Sequence, residues 1–362
     1  MTDIYLIRHA EAEGNLYRIA QGQYDSILTD RGWRQVAALS RRFAPIRIDA
    51  VYSSDLYRTC ATASALYRPK GLPLHRVRQL REICVGVWEQ RTWGEIAREE
   101  PEQLENFTHR LHLWHAEGAE TPAQVRDRVL AAVKEIAAEN DGKTVAVFCH
   151  GCAIRILLAT LQGIPLEELG TTPHGDNTAV SLLRGDGARL EVLWRDDNSH
   201  LRTPDFLAGE GGAHANALEP GLYFEPLRLP EQRALLDRAA EEAGAGPGLP
   251  EQPALAGRRL GDGRCVGLVR FAPDREADRG RGWVDLFWIE ESSRRKGYGT
   301  QLLGQAVAYY RPLGRTFLRT AGPAELPFFR RRGFAPAEGE SGVLEKDIGY
   351  DPEFLGETAH TL

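Results

Sequence analysis

The sequence predicts an α/β protein of two successive domains, a three-layer α/β/α unit followed by a smaller α/β unit with a mixed sheet. Three observations carry that expectation. Short apolar runs at 4–7, 50–53 and 144–148 alternate with longer stretches of helical period, the pattern of βαβ units around a parallel sheet. A chain of 362 residues, 42% of them hydrophobic, exceeds what one ordinary core holds. Between 202 and 221 periodicity gives way to glycine, alanine, proline and mixed charge, as in a linker. The expected parts are therefore 1–201, a linker at 202–221, a second domain at 222–348 and a C-terminal tail at 349–362.

The formal net charge of -6 provides no general basic field, which argues against nucleic acid and for a small charged metabolite as partner. The N-terminus enters a strand at once and no apolar run reaches membrane-spanning length, so no signal peptide, no membrane association and a cytoplasmic location are expected. Five cysteines at irregular spacings fit a reducing compartment. Cys149 and Cys152 bracket His150 as a CxxC, but no second Cys/His pair completes a metal set.

Taken in order, the first strand ends in Arg8 and His9, delivering a cationic pair to the carboxyl edge where open α/β sheets hold ligands. A polar loop follows through Glu13, Gly14 and Asn15 to Gly22 and Asp25. Thr29 or Asp30 then caps a helix with Trp33, Val36, Ala37, Ser40 and Phe43 on its buried face. After strand 50–53, Ser54-Asp55-Leu56 opens a helix carrying Arg58. Glu82 lies between apolar neighbours, a setting suited to a proton donor.

Residues 93–114 read as short helices over the site. His109, His112 and His115 recur there without a carboxylate motif and read as a solvated face rather than metal ligands. Thr121, Pro122 and Gln124 form a capping box ahead of inward-facing Val125, Val129, Val133 and Ile136. Strand 144–148 repeats the opening pattern, ending at His150-Gly151 before a helix whose N-terminus favours an anion. Strands at 178–183 and 189–194 close the domain.

Two arginines, two histidines and one carboxylate, each just beyond a strand, suit phosphoryl chemistry. Arg8 and Arg58 offer planar forks to phosphate oxygens and keep a nearby imidazole neutral. His9 can then attack phosphorus while Glu82 protonates the leaving oxygen, and this set requires no metal. The motif Leu6-Ile7-Arg8-His9 with Glu13 and Asn15, then Gly22, Asp25 and Leu28-Thr29, Ser53-Ser54-Asp55-Leu56 with Arg58, Glu82 with Gly86 and Trp88-Glu89, and His150-Gly151 resembles the histidine phosphatase (phosphoglycerate mutase-like) superfamily over about residues 1–201. The resemblance implies a phosphohistidine on His9, phosphate binding by Arg8, Asn15, Arg58 and His150, and Glu82 as proton donor. Glycolytic mutases carry a longer arginine-bearing insertion after the acid. The compact region 90–120 favours instead a phosphatase of the broad-specificity or alpha-ribazole kind, although Gln90 replaces the glycine usual after the Trp-Glu pair.

In the second domain, a strand at 222–224, a helix at 231–243, a Pro/Gly-rich loop at 244–257 and strands at 265–271 and 283–289 lead to Arg294-Arg295-Lys296-Gly297-Tyr298-Gly299-Thr300. A glycine-containing turn that opens a helix presents N–H groups able to cradle a pyrophosphate. The following helix has Leu302, Leu303, Ala306, Val307 and Tyr310 inward, then come a strand at 316–320 and Phe328-Phe329 leading to Gly333-Phe334. This arrangement resembles the GNAT family of N-acetyltransferases over about residues 222–348. It implies acetyl-CoA binding at Arg294, Arg295, Lys296, Gly297, Tyr298, Gly299 and Thr300, with a small amine as acceptor. Phe329 stands where that family often has a tyrosine general acid, and Asp285 and Glu290 are the candidate bases. Three rival readings are acetyl transfer as the main activity, a non-catalytic acetyl-CoA sensor, and phosphoglycerate mutase activity.

Overall fold

The computed structural model describes residues 1–203, 206, 221–228, 232–246, 248, 252–321 and 326–355. Most of the expected linker, residue 231 of the expected helix and the end of the tail lie outside the described residues. The chain divides into two compact units, Met1–Arg91 with Glu100–Leu218 and Asp351–Leu362, and Thr92–Glu99 with Glu219–Tyr350.

The chain begins with β1 (Thr2–Arg8), α1 (Glu13–Tyr17), α2 (Asp30–Phe43), β2 (Ala50–Ser53), α3 (Tyr57–Lys70) and β3 (Leu74–Arg76). Helix α4 (Trp93–Glu99) groups with the second unit, after which come α5 (Pro101–His109), α6 (Pro122–Glu139), β4 (Thr144–Cys149), α7 (Gly151–Leu161), β5 (Val180–Gly185) and β6 (Leu190–Asp197). The six strands of the first unit lie in the order β3-β2-β4-β1-β5-β6. Strands β3, β2, β4 and β1 are mutually parallel, whereas β5 and β6 are antiparallel additions. Helices α2 and α3 pack as one layer and α6 and α7 as the other. The central strands are buried on both sides, as parallel strands between helices must be.

Helix α6 starts as expected, with Thr121 Oγ1 accepting from the Gln124 N–H and Gln124 Oε1 from the Thr121 N–H. Helix α2 is rotated from the expected face. Trp33 is 39% exposed and Ala37 is exposed, while Gly32, Gln35, Val36 and Leu39 turn inward. The cause is polar: Gln35 Oε1 accepts the Glu11 N–H at 2.7 Å, and a Cβ on Gly32 would stand 2.2 Å from the Glu11 carbonyl oxygen.

The second unit continues with β7 (Leu222–Pro226), α8 (Arg233–Ala243), β8 (Ala254–Arg259), β9 (Cys265–Phe271), β10 (Arg281–Ile289), α9 (Tyr298–Tyr310), β11 (Phe317–Ala321), α10 (Leu326–Arg331), β12 (Ala335–Pro336) and β13 (Val343–Asp347). They form a seven-stranded mixed sheet, β12-β13-β11-β10-β9-β8-β7, in which only β10 and β11 are parallel neighbours. Strand β8 occupies part of the expected loop at 244–257. Ala254 and Ala256 alternate inward, and Gly257 lies against the Phe224 ring, so small residues hide a period-two strand from a hydrophobicity pattern.

Two boundaries differ from those expected. By its contacts the segment 92–99 groups with the second unit, although it falls within the expected first domain. Helix α4 lies on β7, where a Cβ on Gly94 would stand 2.0 Å from the Leu222 carbonyl oxygen and the Arg98 guanidinium lies 4.3 Å from the Tyr223 ring centroid. Residues 351–355 are not a detached tail. Phe354 is 2% exposed against Trp33, Tyr57 and Arg68, and Glu353 binds both Arg68 and Tyr67. Phe354→Ala should therefore cost the first unit about 3 kcal/mol in a chemical denaturation curve. A detached tail would leave the midpoint unchanged.

Candidate active site

Strand register assembles the site. Strands β1 and β4 pair Arg8 with Cys149, and β4 and β2 pair Phe148 with Ser53. One residue further along each, His9, His150 and Ser54 emerge side by side at the carboxyl edge. The His9 N–H donates to the Cys149 carbonyl at 3.0 Å and the Ser54 N–H to that of Phe148 at 2.9 Å. The two imidazoles lie 5.3 Å apart between centroids and are 3% and 0% exposed. His9 Nδ1 is 2.7 Å from the Ala10 carbonyl oxygen, which can only accept, so the proton sits on Nδ1 and the lone pair on Nε2. His150 Nε2 is 2.8 Å from Ser54 Oγ, while its buried Nδ1 has no partner.

Both imidazoles are held well below the usual histidine range, first by burial and then by the positive field of Arg58, with Arg8 adding to it. Arg58 is fully buried and donates to the carbonyls of Tyr24 and Gly22 at 2.9 and 2.7 Å; half-buried Arg8 donates to that of Gly175. The Nε of each is shielded from solvent and has no hydrogen-bond partner. Burial lowers both guanidinium pKa values. The loop around Arg58 is tied by Glu89, whose carboxylate accepts N–H groups from Gly22, Gln23, Tyr24 and Val85. A Cβ on Gly22 would stand 2.4 Å from the Ile83 carbonyl oxygen, so that position needs glycine, whereas one on Gly151 would stand 3.1 Å from Arg8 Nε and push the guanidinium by a few tenths of an ångström.

Glu82 does not hang among apolar groups as expected. Its Oε1 accepts from Ile83 and Ala153 N–H at 3.0 and 2.9 Å, and its Oε2 from Cys152 N–H at 3.0 Å, which caps the start of α7 from another segment. The Glu82 carbonyl is held by Arg128 and Gln23, and Arg128 forms a fork with Glu120. Asn15 uses its side-chain oxygen to close the first turn of α1 on the Ala12 N–H, so the structure gives it a local role beside any ligand role. Arg128, Glu120 and Gln23 were not singled out by sequence. They sit on polar faces, and only the paired carbonyls reveal them. Among the described residues no group of His, Cys, Asp and Glu is arranged to hold a metal, and His109 and His115 are exposed.

In the second unit, Arg294, Arg295, Lys296 and Gly297 are exposed, Tyr298 and Gly299 half-buried and Thr300 buried. Gly297, at φ +80°, caps the 13-residue helix α9 with open space around it. Strand β10 pairs with β11 only over Arg281–Val284 and then continues alone against β9. Beside this divergence lies a cavity of about 330 Å³, walled in part by Phe287 and Phe329. Phe329 packs against Phe287 and Phe334 at 5.0 Å and carries no hydroxyl into it.

A strand-edge site of this kind on an α/β/α sheet defines a class, and comparison with known proteins defines the family. Residues 4–198, more than half the chain, match the histidine phosphatase superfamily (branch 1), to which the chain belongs. Residues 224–334 match the acetyltransferase (GNAT) family. Phosphoserine phosphatase 1 of Hydrogenobacter thermophilus is 28% identical over 201 residues, covering 56% of this chain and 95% of that protein. A probable phosphoglycerate mutase GpmB of Salmonella choleraesuis is 32% identical over 165 residues, covering 46% and 77%. The solved structure of Bacillus stearothermophilus YhfR superposes with a TM-score of 0.54 at 32% identity, covering 56% of this chain and all of that one. No described helix is long and apolar enough to cross a membrane.

Buried His9 and His150, with half-buried His200, make the first unit acid-labile. Partial burial beside Arg42 lowers His200 to about 4. The unfolded chain takes up protons below about 6.5 that the folded chain refuses, so stability is lost as pH falls from there towards the folded values. Denaturation midpoints should be flat above about pH 7 and fall below about pH 6, and His200→Gln should reduce that slope.

Proposed function

We propose that the first unit hydrolyses small phosphomonoesters through a phosphohistidine on His9. The observation that carries this is the neutral His9 ring, with its proton fixed on Nδ1, set beside two guanidiniums whose Nε donors are unfilled. Arg8, Arg58 and His150, with Asn15 nearby, hold the phosphate oxygens. The Nε2–P bond forms as the P–O ester bond breaks, and the departing oxygen takes a proton from Glu82. Oxygen Oε2 is suited to carry it, because it accepts one N–H where Oε1 accepts two. Glu82 then takes a proton from water, whose oxygen displaces His9 and releases phosphate.

The similarity to a phosphoserine phosphatase supports hydrolysis of a small phosphorylated metabolite and makes phosphoserine the first ester to try. Phosphate release should be measured with chelator present from phosphoserine, an aryl phosphate and a panel of metabolite esters. His9→Ala is expected to lower turnover by about 10³-fold or more. Glu82→Gln should slow alkyl esters about 10²-fold more than aryl ones, since aryl oxygens leave without a proton. Phosphoglycerate interconversion without phosphate release would make it a mutase instead.

For the second unit the reading is acetyl-CoA binding by Arg294, Arg295, Lys296, Gly297, Tyr298, Gly299 and Thr300 and transfer to a small amine. Exposed cations beside an open glycine at a helix start suit a pyrophosphate chain. Glu290 does not line this cleft and is bound by Ser292, Ser293 and Arg264, whereas Asp285, though held by Arg270 and Gln252, is the carboxylate on the cleft wall. The hydroxyl-free Phe329 favours a sensor as the second reading. Acetyl-CoA titration with thiol release over an amine panel separates them: turnover supports the transferase, and binding without turnover the sensor.

A further inference from the structure

The cavity beside the divergence of β10 and β11 holds an unusual cation. Arg270 rises from β9 with 2% of its side chain exposed and lines the cavity with Arg275, Trp283, Asp285 and Thr320. Its Nε donates to Asp285 Oδ1 at 2.9 Å and its Nη2 to the Gly246 carbonyl at 2.9 Å. Gln252 holds the other Asp285 oxygen at 3.0 Å, so the guanidinium plane is fixed. Yet Nη1 is buried and has no hydrogen-bond partner. The other deeply buried arginine of this sheet, Arg319, is bound by Glu276, Glu340 and Glu345; Arg315 also keeps its Nε unfilled, but it does not line the cavity. On the same wall the Arg275 guanidinium lies 3.4 Å from the Trp283 ring centroid, a second cation facing the space.

We propose that this cleft takes an acceptor of the amino acid class, its carboxylate bound by Arg270 Nη1 and Arg275 and its amine directed towards Asp285. The inference rests on the reading of the second unit as acetyl-CoA-binding and supplies its acceptor. A charged donor left unfilled in a water-poor wall is completed best by a charged acceptor, and a carboxylate matches the planar guanidinium. The cavity of about 330 Å³ is of small-molecule size. In the transfer the acceptor ammonium gives one proton by way of Asp285 to solvent, its nitrogen attacks the thioester carbonyl carbon, the C–N bond forms as the C–S bond breaks, and the second nitrogen proton passes to the departing sulfur. Coenzyme A leaves as the thiol carrying one proton.

Calorimetric titration of the full chain with N-acetylglycine, N-acetyl-L-serine and N-acetyl-L-glutamate, each against its carboxamide, tests the carboxylate site directly. At least one acid should bind about tenfold tighter than its amide, as loss of a charge-assisted bond requires. In Arg270→Lys, shown to be folded by its thermal melt, that preference should disappear, and in the exposed-site variant Arg275→Gln it should shrink. Equal binding of acid and amide, or binding of neither, overturns the proposal. A parallel acetyl-CoA titration keeps the two readings apart: no acetyl-CoA binding removes the transferase reading, while the acid and amide comparison still decides the carboxylate site.

Discussion

A guanidinium shut away from water, hydrogen-bonded to carbonyls and only in the more distant field of Asp25, Glu82 and Glu89, is the constraint on which the first unit depends. Moving such a cation inside costs several kcal/mol, of order 5, whereas each hydrogen bond to a charged group returns only about 1.5–3. Arg58 recovers part of that from the Gly22 and Tyr24 carbonyls, and those carbonyls are aimed because Glu89 has bound the N–H groups of the same loop. Arg8 passes close over Gly151, where a Cβ would stand 3.1 Å from its Nε. The Nε atoms stay without a hydrogen-bond partner, and burial followed by the same positive field holds both imidazoles well below the usual histidine range.

Glu82 resolves a conflict within that field. A carboxylate placed beside Arg8 and Arg58 merely to donate a proton would be drawn into a salt bridge and would neutralise the phosphate site. Here its oxygens are turned to the start of α7 and fixed by three N–H groups. The helix start fixes the acid, Arg128 fixes the acid's own carbonyl, and Glu120 fixes Arg128. Glu82 is thereby held within the field of both arginines while its oxygens stay committed to N–H groups.

Legibility in the sequence follows from this chain of dependence. Strands ending in Arg8-His9 and His150-Gly151 could be read because a buried parallel strand is a continuous apolar run and its end is abrupt. Arg58 could be read from its place just past a strand. Arg128 could not, since a polar residue on an amphipathic helix looks solvated until its carbonyl partners are known. The face of α2 was misjudged for a related reason: Gln35 is inside to satisfy one N–H, whereas Trp33 is partly outside. Strand β8 stayed hidden because its inward positions are small alanines and the larger Leu255 lies between them, and the placement of residues 92–99 and 351–355 depends on contacts that no local pattern encodes.

The second unit applies the same physics with two outcomes in one sheet. Arg319 and Arg270 are each 2% exposed arginines on adjacent parts of a mixed sheet, so burial alone does not separate a brace from a binding group. Their partners do. Three carboxylates around Arg319 leave it no electrostatic reason to meet a ligand, and one of them, Glu345, is its partner residue on β13. Arg270 has one carboxylate, itself shared with Gln252, and it lies where β10 has parted from β11 and a cavity opens. A buried cation whose neighbours are all supplied by the fold serves the fold. One that the fold leaves short, at the place where the sheet itself is incomplete, is set to be completed by something that enters.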